Sequence, residues 1–266
     1  MNGQRTPVER MALYSNLRRA EEVLARDGWS LADTEAFAHM HYLGTDALDH
    51  AAAQLRLAAG QELLDVGSGF GGTGRYLSAK CGCAVTGVEL QGAVAAIAER
   101  INRTFNEQEG RRAAATVVGD FLEVELGRDF DHAISLLAIL HVPLAQRRSW
   151  FCRINDHLKP GGKLYVEDYF CRGTFTEGEA NDLDRIVSCP GLPTKEAYIA
   201  DLDRGGFDVA FEDVTELWTD FVASRADAYA ASEAPAPDLL LFYRTVRALF
   251  QGGNLGGARI TATKKT

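Results

Sequence analysis

No stretch constrains the fold of this chain more than Leu63-Leu64-Asp65-Val66-Gly67-Ser68-Gly69-Phe70-Gly71-Gly72. An apolar strand ends on an acid and breaks into glycines that open a helix, so backbone can approach a ligand where a side chain would clash. A nucleoside-type ligand is implied. Gly67, Gly69 and Gly72 also satisfy the G-x-G-x-x-G spacing of dinucleotide folds, which makes dinucleotide binding the rival reading and a bare strand-to-helix turn the plain one.

Around this run the chain alternates short β-rich segments with helical ones. Strands are expected at residues 62–66, 84–89, 115–118, 132–136, 162–168, 208–214 and 258–263, with helices at 72–80, 92–105, 144–157 and 194–204 between them. The third helix is expected to stop at Lys159-Pro160-Gly161-Gly162. The pattern predicts an α/β fold, a doubly wound, Rossmann-like seven-stranded sheet that is mostly parallel. Residues 1–60 read as an N-terminal helical lid, with Ser30 and Asp46 as N-caps, ahead of a core over residues 61–266. Residues 170–193 are polar and irregular, broken by Pro190 and Pro193, and read as a second lid inserted in the core. A further helix over residues 215–250 is interrupted at Pro235 and Pro237.

The chain has 266 residues, with 28 Lys and Arg against 37 Asp and Glu. Its net charge of −9 disfavours nucleic acid and anionic membranes as partners. A small uncharged or cationic molecule fits better. Residues 132–145 form the longest weakly charged stretch, shorter than the roughly 20 apolar residues a membrane span needs. The start, MNGQRTPVER, lacks the apolar centre of a signal peptide. A cytoplasmic protein is expected. Five cysteines, with no C-x-x-C pair, read as free thiols, and a homodimer stays open.

Two further acids sit at strand ends. Glu89 ends the second strand, where a carboxylate accepts both hydroxyls of a ribose, and Gly119-Asp120-Phe121 ends the third, where an acid and an aromatic edge suit a purine. Each alone reads equally as a helix cap or a solvated charge. Together they argue against a dinucleotide. With this set, and with Leu158-Lys-Pro-Gly-Gly162 before a strand, residues 60–168 resemble the class I S-adenosylmethionine-dependent methyltransferases. The resemblance implies S-adenosyl-L-methionine as cofactor. It places Asp65, Gly67, Ser68, Gly69 and Gly71 on the methionine and ribose portion, Glu89 on the ribose hydroxyls, and Asp120 with Phe121 on the adenine, with Leu90 and Leu136 completing the pocket.

Within that superfamily the chain is similar to the sarcosine and dimethylglycine N-methyltransferases and the phosphoethanolamine N-methyltransferases. The motifs are His41-Tyr-Leu-Gly44, Ala138-Ile-Leu-His141, Glu167-Asp-Tyr169 and Phe250-Gln-Gly-Gly253. The likeness implies N-methylation of a glycine, sarcosine or dimethylglycine type of amine, with His141 as catalytic base and a lid aromatic, Tyr42 or Trp29 before Tyr14, closing over the acceptor. Tyr169, Arg172 and Arg185 are the candidates for holding an acceptor anion, with Arg244 and Arg247 as lesser ones. His141 reads otherwise as a turn cap before Pro143, the lid aromatics as packing residues, and the arginines as solvated charges. Glu167 and Asp168 either attract a cationic acceptor or fix a lid.

Two departures bear on the acceptor. Leu136-Leu137 stand where this group carries a polar residue and an aspartate, which leaves room for S- or O-methylation of a thioether or hydroxy acid. Residues 181–194 lack the tyrosines that help bind phosphobases, which disfavours phosphoethanolamine. A cofactor-binding protein without turnover is the remaining class. No metal is expected, because His39 and His41 lie two apart and no paired carboxylate motif accompanies them.

Overall fold

Leu63, Leu64 and Val66 are fully buried because their strand, β1 (Glu62–Val66), runs at the middle of the sheet with helices on both faces. The computed structural model describes residues 13–127 and 129–266, with side chains from residue 16. The strands β2 (Ala84–Glu89), β3 (Ala114–Val118), β4 (Phe130–Leu136), β5 (Leu158–Cys171), β6 (Phe207–Asp213) and β7 (Leu255–Lys264) join β1 in the order β3-β2-β1-β4-β5-β7-β6. Only β7 runs antiparallel to its neighbours. The expected doubly wound, mostly parallel sheet is the observed one.

The helices are α1 (Leu13–Leu24), α2 (Leu31–Ala38), α3 (Gly44–Leu55), α4 (Gly72–Cys81), α5 (Gly92–Glu109), α6 (Leu144–Asp156), α7 (Glu177–Asp182), α8 (Lys195–Arg204), α9 (Thr215–Ala230) and α10 (Pro237–Gln251). Because strand residues alternate between faces, Leu64, Val66, Leu164 and Val166 meet Phe151 of α6 and Tyr198 of α8, while Leu63, Ile134 and Tyr165 meet Leu48 of α3 and Leu77 of α4. Among the described residues no helix is long and apolar enough to cross a membrane.

Three local expectations are corrected. Lys159–Gly162 does not lie in a loop: α6 ends at Asp156, Leu158 already pairs with Phe130, and the glycines fall in a register shift within the ladder. Residues 170–193 are not irregular, since Thr176 and Glu179 form a reciprocal capping box that starts α7, and a π-helical turn (Leu183–Val187) follows. Asp46 lies in the first turn of α3, whose cap is Leu43 in a left-handed conformation (φ 60°), whereas Ser30 caps α2 as expected, with Asp33 accepting from its backbone at 2.8 Å. The start of the expected lid, residues 1–12, lies outside the described residues.

The linker over residues 39–43 crosses the glycine loop. A Cβ built on Gly72 would fall 2.2 Å from the carbonyl oxygen of Ala38, a backbone atom that cannot swing aside. Gly72→Ala should therefore loosen α2 from α4, at about 2 kcal/mol for an overpacked contact, and lower Tm by several degrees. A wild-type melting curve for this variant would contradict the docking.

Candidate active site

The carboxyl ends of β1, β2, β4 and β5 converge on one edge, and the glycine loop opens it. Gly67 and Ser68 donate their amides to the Val88 carbonyl at 2.9 and 3.0 Å, which folds the loop back onto β2. Gly67 takes φ +81°, and a Cβ there would sit 2.3 Å from the Ala138 side chain, so the glycine is required both by conformation and by the close approach of the turn after β4. Glu89 reaches under the loop, its carboxylate accepting from the Gly69 amide at 2.9 Å and the Gln91 amide at 2.8 Å. Burial raises its pKa against the pull of these amides.

Asp65 is buried, and its Oδ2 has no partner among the described residues. Burial, then the neighbouring Glu89 charge, pushes its carboxyl up to about 7. Behind it lies a cavity of about 10 Å³, lined mainly by apolar surface that includes Val85, Ala114 and Ala115, with Ser68, Asn102 and Thr116 as its polar residues. Leu90 is 48% exposed beside Glu89 and offers an apolar surface at the rim. Asp120 is exposed and accepts from the Leu122 amide at 2.9 Å, so it caps a turn while keeping a second oxygen for a ligand. Phe121 is corrected: its ring turns into the core against Trp150, 5.2 Å between centroids, under the Arg153 guanidinium, so the open apolar surface on this edge belongs to Leu90. Leu136 ends β4, in register with Glu167 of β5.

His141 follows on a 3-10 turn (Ile139–His141), just after Leu137, whose φ of 49° is strained for a branched-chain residue. Its Nδ1 lies 3.0 Å from the Ser188 carbonyl oxygen. A carbonyl only accepts, so Nδ1 carries the proton and Nε2 keeps its lone pair. Desolvation pushes the imidazole down to about 4 despite this hydrogen bond, leaving it neutral at physiological pH. The Tyr42 and Tyr169 hydroxyls are hydrogen-bonded to each other, and burial raises both phenols. Trp218 of α9 stands 4.9 Å from the Tyr42 ring and 6.1 Å from that of Tyr169, and Phe250 of α10 is 5.7 Å from Tyr169. Leu137, Leu140, Leu183 and Val187 pack on this aromatic group, which joins the lid linker, the His141 turn and the α9–α10 pair in one cluster.

Several expected site residues lie elsewhere. Trp29 packs with Phe37, Phe70 and Ile97, with the Arg100 guanidinium over its ring at 5.7 Å; it belongs to a separate cluster from Tyr42 and Tyr169 and anchors the N-terminal helices. Arg172 is exposed and faces Asp213 at 3.8 Å, and Arg185 is exposed on the turn after α7, so neither joins the aromatic cluster. Arg247 is bonded to Asp227, and Arg244 is exposed. Glu167 and Asp168 are both fully buried. Glu167 accepts from Tyr165 Oη and Arg259 Nε, each at 2.8 Å, and Asp168 from Tyr198 Oη at 2.9 Å, so they brace the sheet. The Tyr14 side chain lies outside the described residues.

One residue went unnoticed in the sequence, and another was read for a different role. Arg147 is fully buried beside His141, and nothing in the run Gln146-Arg147-Arg148 marks which arginine turns inward. His41 was weighed only as a metal ligand; its Nδ1 donates to the Tyr42 carbonyl at 3.0 Å, and its buried Nε2 has no partner among the described residues. Among those residues no group of three or more His, Cys, Asp or Glu side chains is placed to hold a metal ion.

The sheet order and the acid-flanked glycine loop define the Rossmann-like fold of the class I S-adenosylmethionine-dependent methyltransferases. Residues 63–162 match the family model described as a methyltransferase domain, and the chain carries that domain. It is 29% identical over 179 residues to the phosphoethanolamine N-methyltransferase of Plasmodium falciparum, an alignment covering 66% of this chain and 64% of that one. Phosphoethanolamine N-methyltransferase 2 of Haemonchus contortus, solved with phosphomonomethylethanolamine and S-adenosylhomocysteine, superimposes with a TM-score of 0.77 at 21% identity over 95% of this chain and 57% of that one. A Galdieria sulphuraria protein described as a sarcosine dimethylglycine methyltransferase gives 0.70 at 19% identity, over 83% and 84%. The chain thus spans less than two thirds of the first two relatives.

Proposed function

We propose that this chain transfers the methyl group of S-adenosyl-L-methionine to a small-molecule acceptor, and that the acceptor atom is the nitrogen of a glycine, sarcosine or dimethylglycine type of amine. The residues present fit the cofactor. Asp65 has an unpartnered buried oxygen for a cationic group, Glu89 has lone pairs left for ribose hydroxyls, and Leu90 with Asp120 offers an apolar face and an acceptor for adenine. When bound, the cofactor supplies an electrophilic methyl on a sulfonium. We also propose that residues 1–60 and 170–193 act as lids on the core over 61–266.

The observation that carries the amine reading is the fixed tautomer of His141, on the turn whose Leu140 packs in the buried aromatic cluster. At a pKa of about 4 the imidazole is a poor base for an alkylammonium near 9 to 10. Five units of mismatch cost about 7 kcal/mol. For glycine or sarcosine its role is therefore to accept an N–H from the neutral amine at Nε2 and aim the lone pair; neutral dimethylglycine has no N–H, and there the imidazole only borders the nitrogen. The burial that lowers His141 also penalises a substrate ammonium, so desolvation raises the reactive neutral fraction. The amine lone pair would form the N–C bond as sulfur keeps the electrons of the C–S bond; a product from glycine or sarcosine would then give its ammonium proton to water once the site opens, whereas the product from dimethylglycine is quaternary and has none to give.

A second reading, an S-, O- or C-acceptor, is favoured by the dryness of the pocket, where Leu137, Leu140, Leu183 and Val187 supply no charge. One experiment tests both: purified protein with methyl-labelled cofactor, assayed by mass spectrometry on glycine, sarcosine, dimethylglycine, ethanolamine, small thioethers and hydroxy acids. We expect label on an amine, at a rate that climbs with pH up to the pKa of that amine. Label on a thioether or hydroxyl alone would transfer the assignment to the second reading. Binding without any product would sink both.

A further inference from the structure

We propose that Arg147, with Asp168, is a positioning residue that holds His141 in its single working tautomer by clamping the two segments that meet at the imidazole. This rests on the reading of His141 as the group that orients the acceptor. The first segment is the turn carrying His141. Arg147 Nε donates to the Val142 carbonyl at 3.1 Å, and Nη2 reaches the Leu140 carbonyl at a long 3.5 Å, so the guanidinium grips the residues on either side of His141. The second is the stretch after the π-helical turn, which supplies the acceptor for Nδ1–H. There Nη2 donates to the Gly191 carbonyl at 3.0 Å, and the Cys189 amide closes back onto the Leu183 carbonyl at 2.9 Å. Ser188 lies between, in a left-handed conformation (φ 59°) that turns its carbonyl toward the imidazole.

Asp168 completes the clamp from below. Its carboxylate accepts from the Leu140 amide, from Tyr198 Oη at 2.9 Å and from its own neighbour Tyr169 at 2.8 Å. Leu140 is thus held by its amide through Asp168 and by its carbonyl through Arg147. The Arg147 guanidinium lies over the Tyr198 ring at 5.9 Å. Both charges are fully buried, and each would be costly without the other. The pair reaches across to the other site aromatic as well, since Asp168 holds the backbone of Tyr169, the partner of Tyr42. Lysine cannot replace this arrangement, because Nε and Nη2 reach the three carbonyls from two separated nitrogens of a planar fork, whereas an ammonium donates all its protons from one atom.

Nitrogen-15 NMR of histidine-labelled protein at neutral pH, with His141 assigned by His141→Gln, reads the tautomer directly. In the wild type His141 Nδ1 should appear protonated and Nε2 unprotonated. In Arg147→Lys the two tautomers should mix, and kcat should fall about tenfold, at unchanged affinity for S-adenosylhomocysteine. If Arg147→Lys does not fold, Arg147→Met with Asp168→Asn removes both buried charges together and takes the same measurement. A variant that keeps the wild-type tautomer overturns the proposal. A tautomer that mixes in a protein with no turnover on any acceptor supports the clamp and defeats the methyl-transfer reading, so the two fail separately.

Discussion

His141→Ala should lower kcat about a hundredfold while leaving the affinity for S-adenosylmethionine within about twofold. The imidazole sits on the turn after β4, hydrogen-bonded to the Ser188 carbonyl, while Glu89 holds the glycine loop. On the proposed reading it acts on the acceptor and not on the cofactor. The loss is at the lower end of acid–base effects because a group near pKa 4 orients a lone pair more than it removes a proton. His141→Gln, which keeps an acceptor oxygen near Nε2, should recover part of the rate. Calorimetry for binding and initial rates for turnover check both halves. Wild-type kcat in the alanine variant would return His141 to a turn-capping role.

Glu89→Ala should weaken S-adenosylmethionine and S-adenosylhomocysteine alike by about a hundredfold, near 3 kcal/mol for two charge-assisted hydrogen bonds. Removing the carboxylate also strands the Gly69 amide that shapes the loop. Asp65 adds a pH dependence that the two ligands do not share. Its carboxyl is raised to about 7 in the free protein, and only its ionised form favours a net cation. Affinity for S-adenosylmethionine, with its sulfonium charge, should hold above pH 7 and fall toward tenfold per unit below it. The neutral thioether should show a shallower slope, and Asp65→Asn should flatten both. Calorimetry between about pH 5 and 8 measures this; parallel slopes for the two ligands would assign Asp65 to the α-ammonium both carry and not to the sulfonium, and flat slopes would remove it from charge recognition.

Much of the fold was legible because its signals are local. The strand that ends on Asp65 before glycines, the apolar runs at residues 84–89 and 132–136, and the helix between each pair read directly as a parallel sheet, and the strand order agrees. Capping chemistry was half used: Ser30 was recognised as a cap, but the same box at Thr176 and Glu179 was passed over inside a polar stretch, so α7 was missed. Asp46 was misjudged because a left-handed residue, Leu43, can start a helix without a side-chain cap.

Placement was legible where a residue follows directly on a strand, as with Asp65, Glu89, Asp120 and His141, which all lie at or just after strand ends along one edge. It was not legible where burial decides the role. Trp29 and Tyr42 look alike on a helical lid, and only packing sends one to Arg100 and the other to Tyr169. Arg172 and Arg185 look suited to an anion, yet both stay in water, while Arg147 is enclosed by Leu140, Asp168, Tyr198 and Gly191 from four separate segments.

By itself, the sequence determined the architecture and the cofactor-type loop, because strand alternation, helix stops and glycine turns depend on neighbours along the chain. Only the tertiary structure decided which histidine nitrogen is free, which arginine is buried and which tyrosines meet. Those depend on desolvation and on contacts between residues far apart in the chain, which no local pattern encodes.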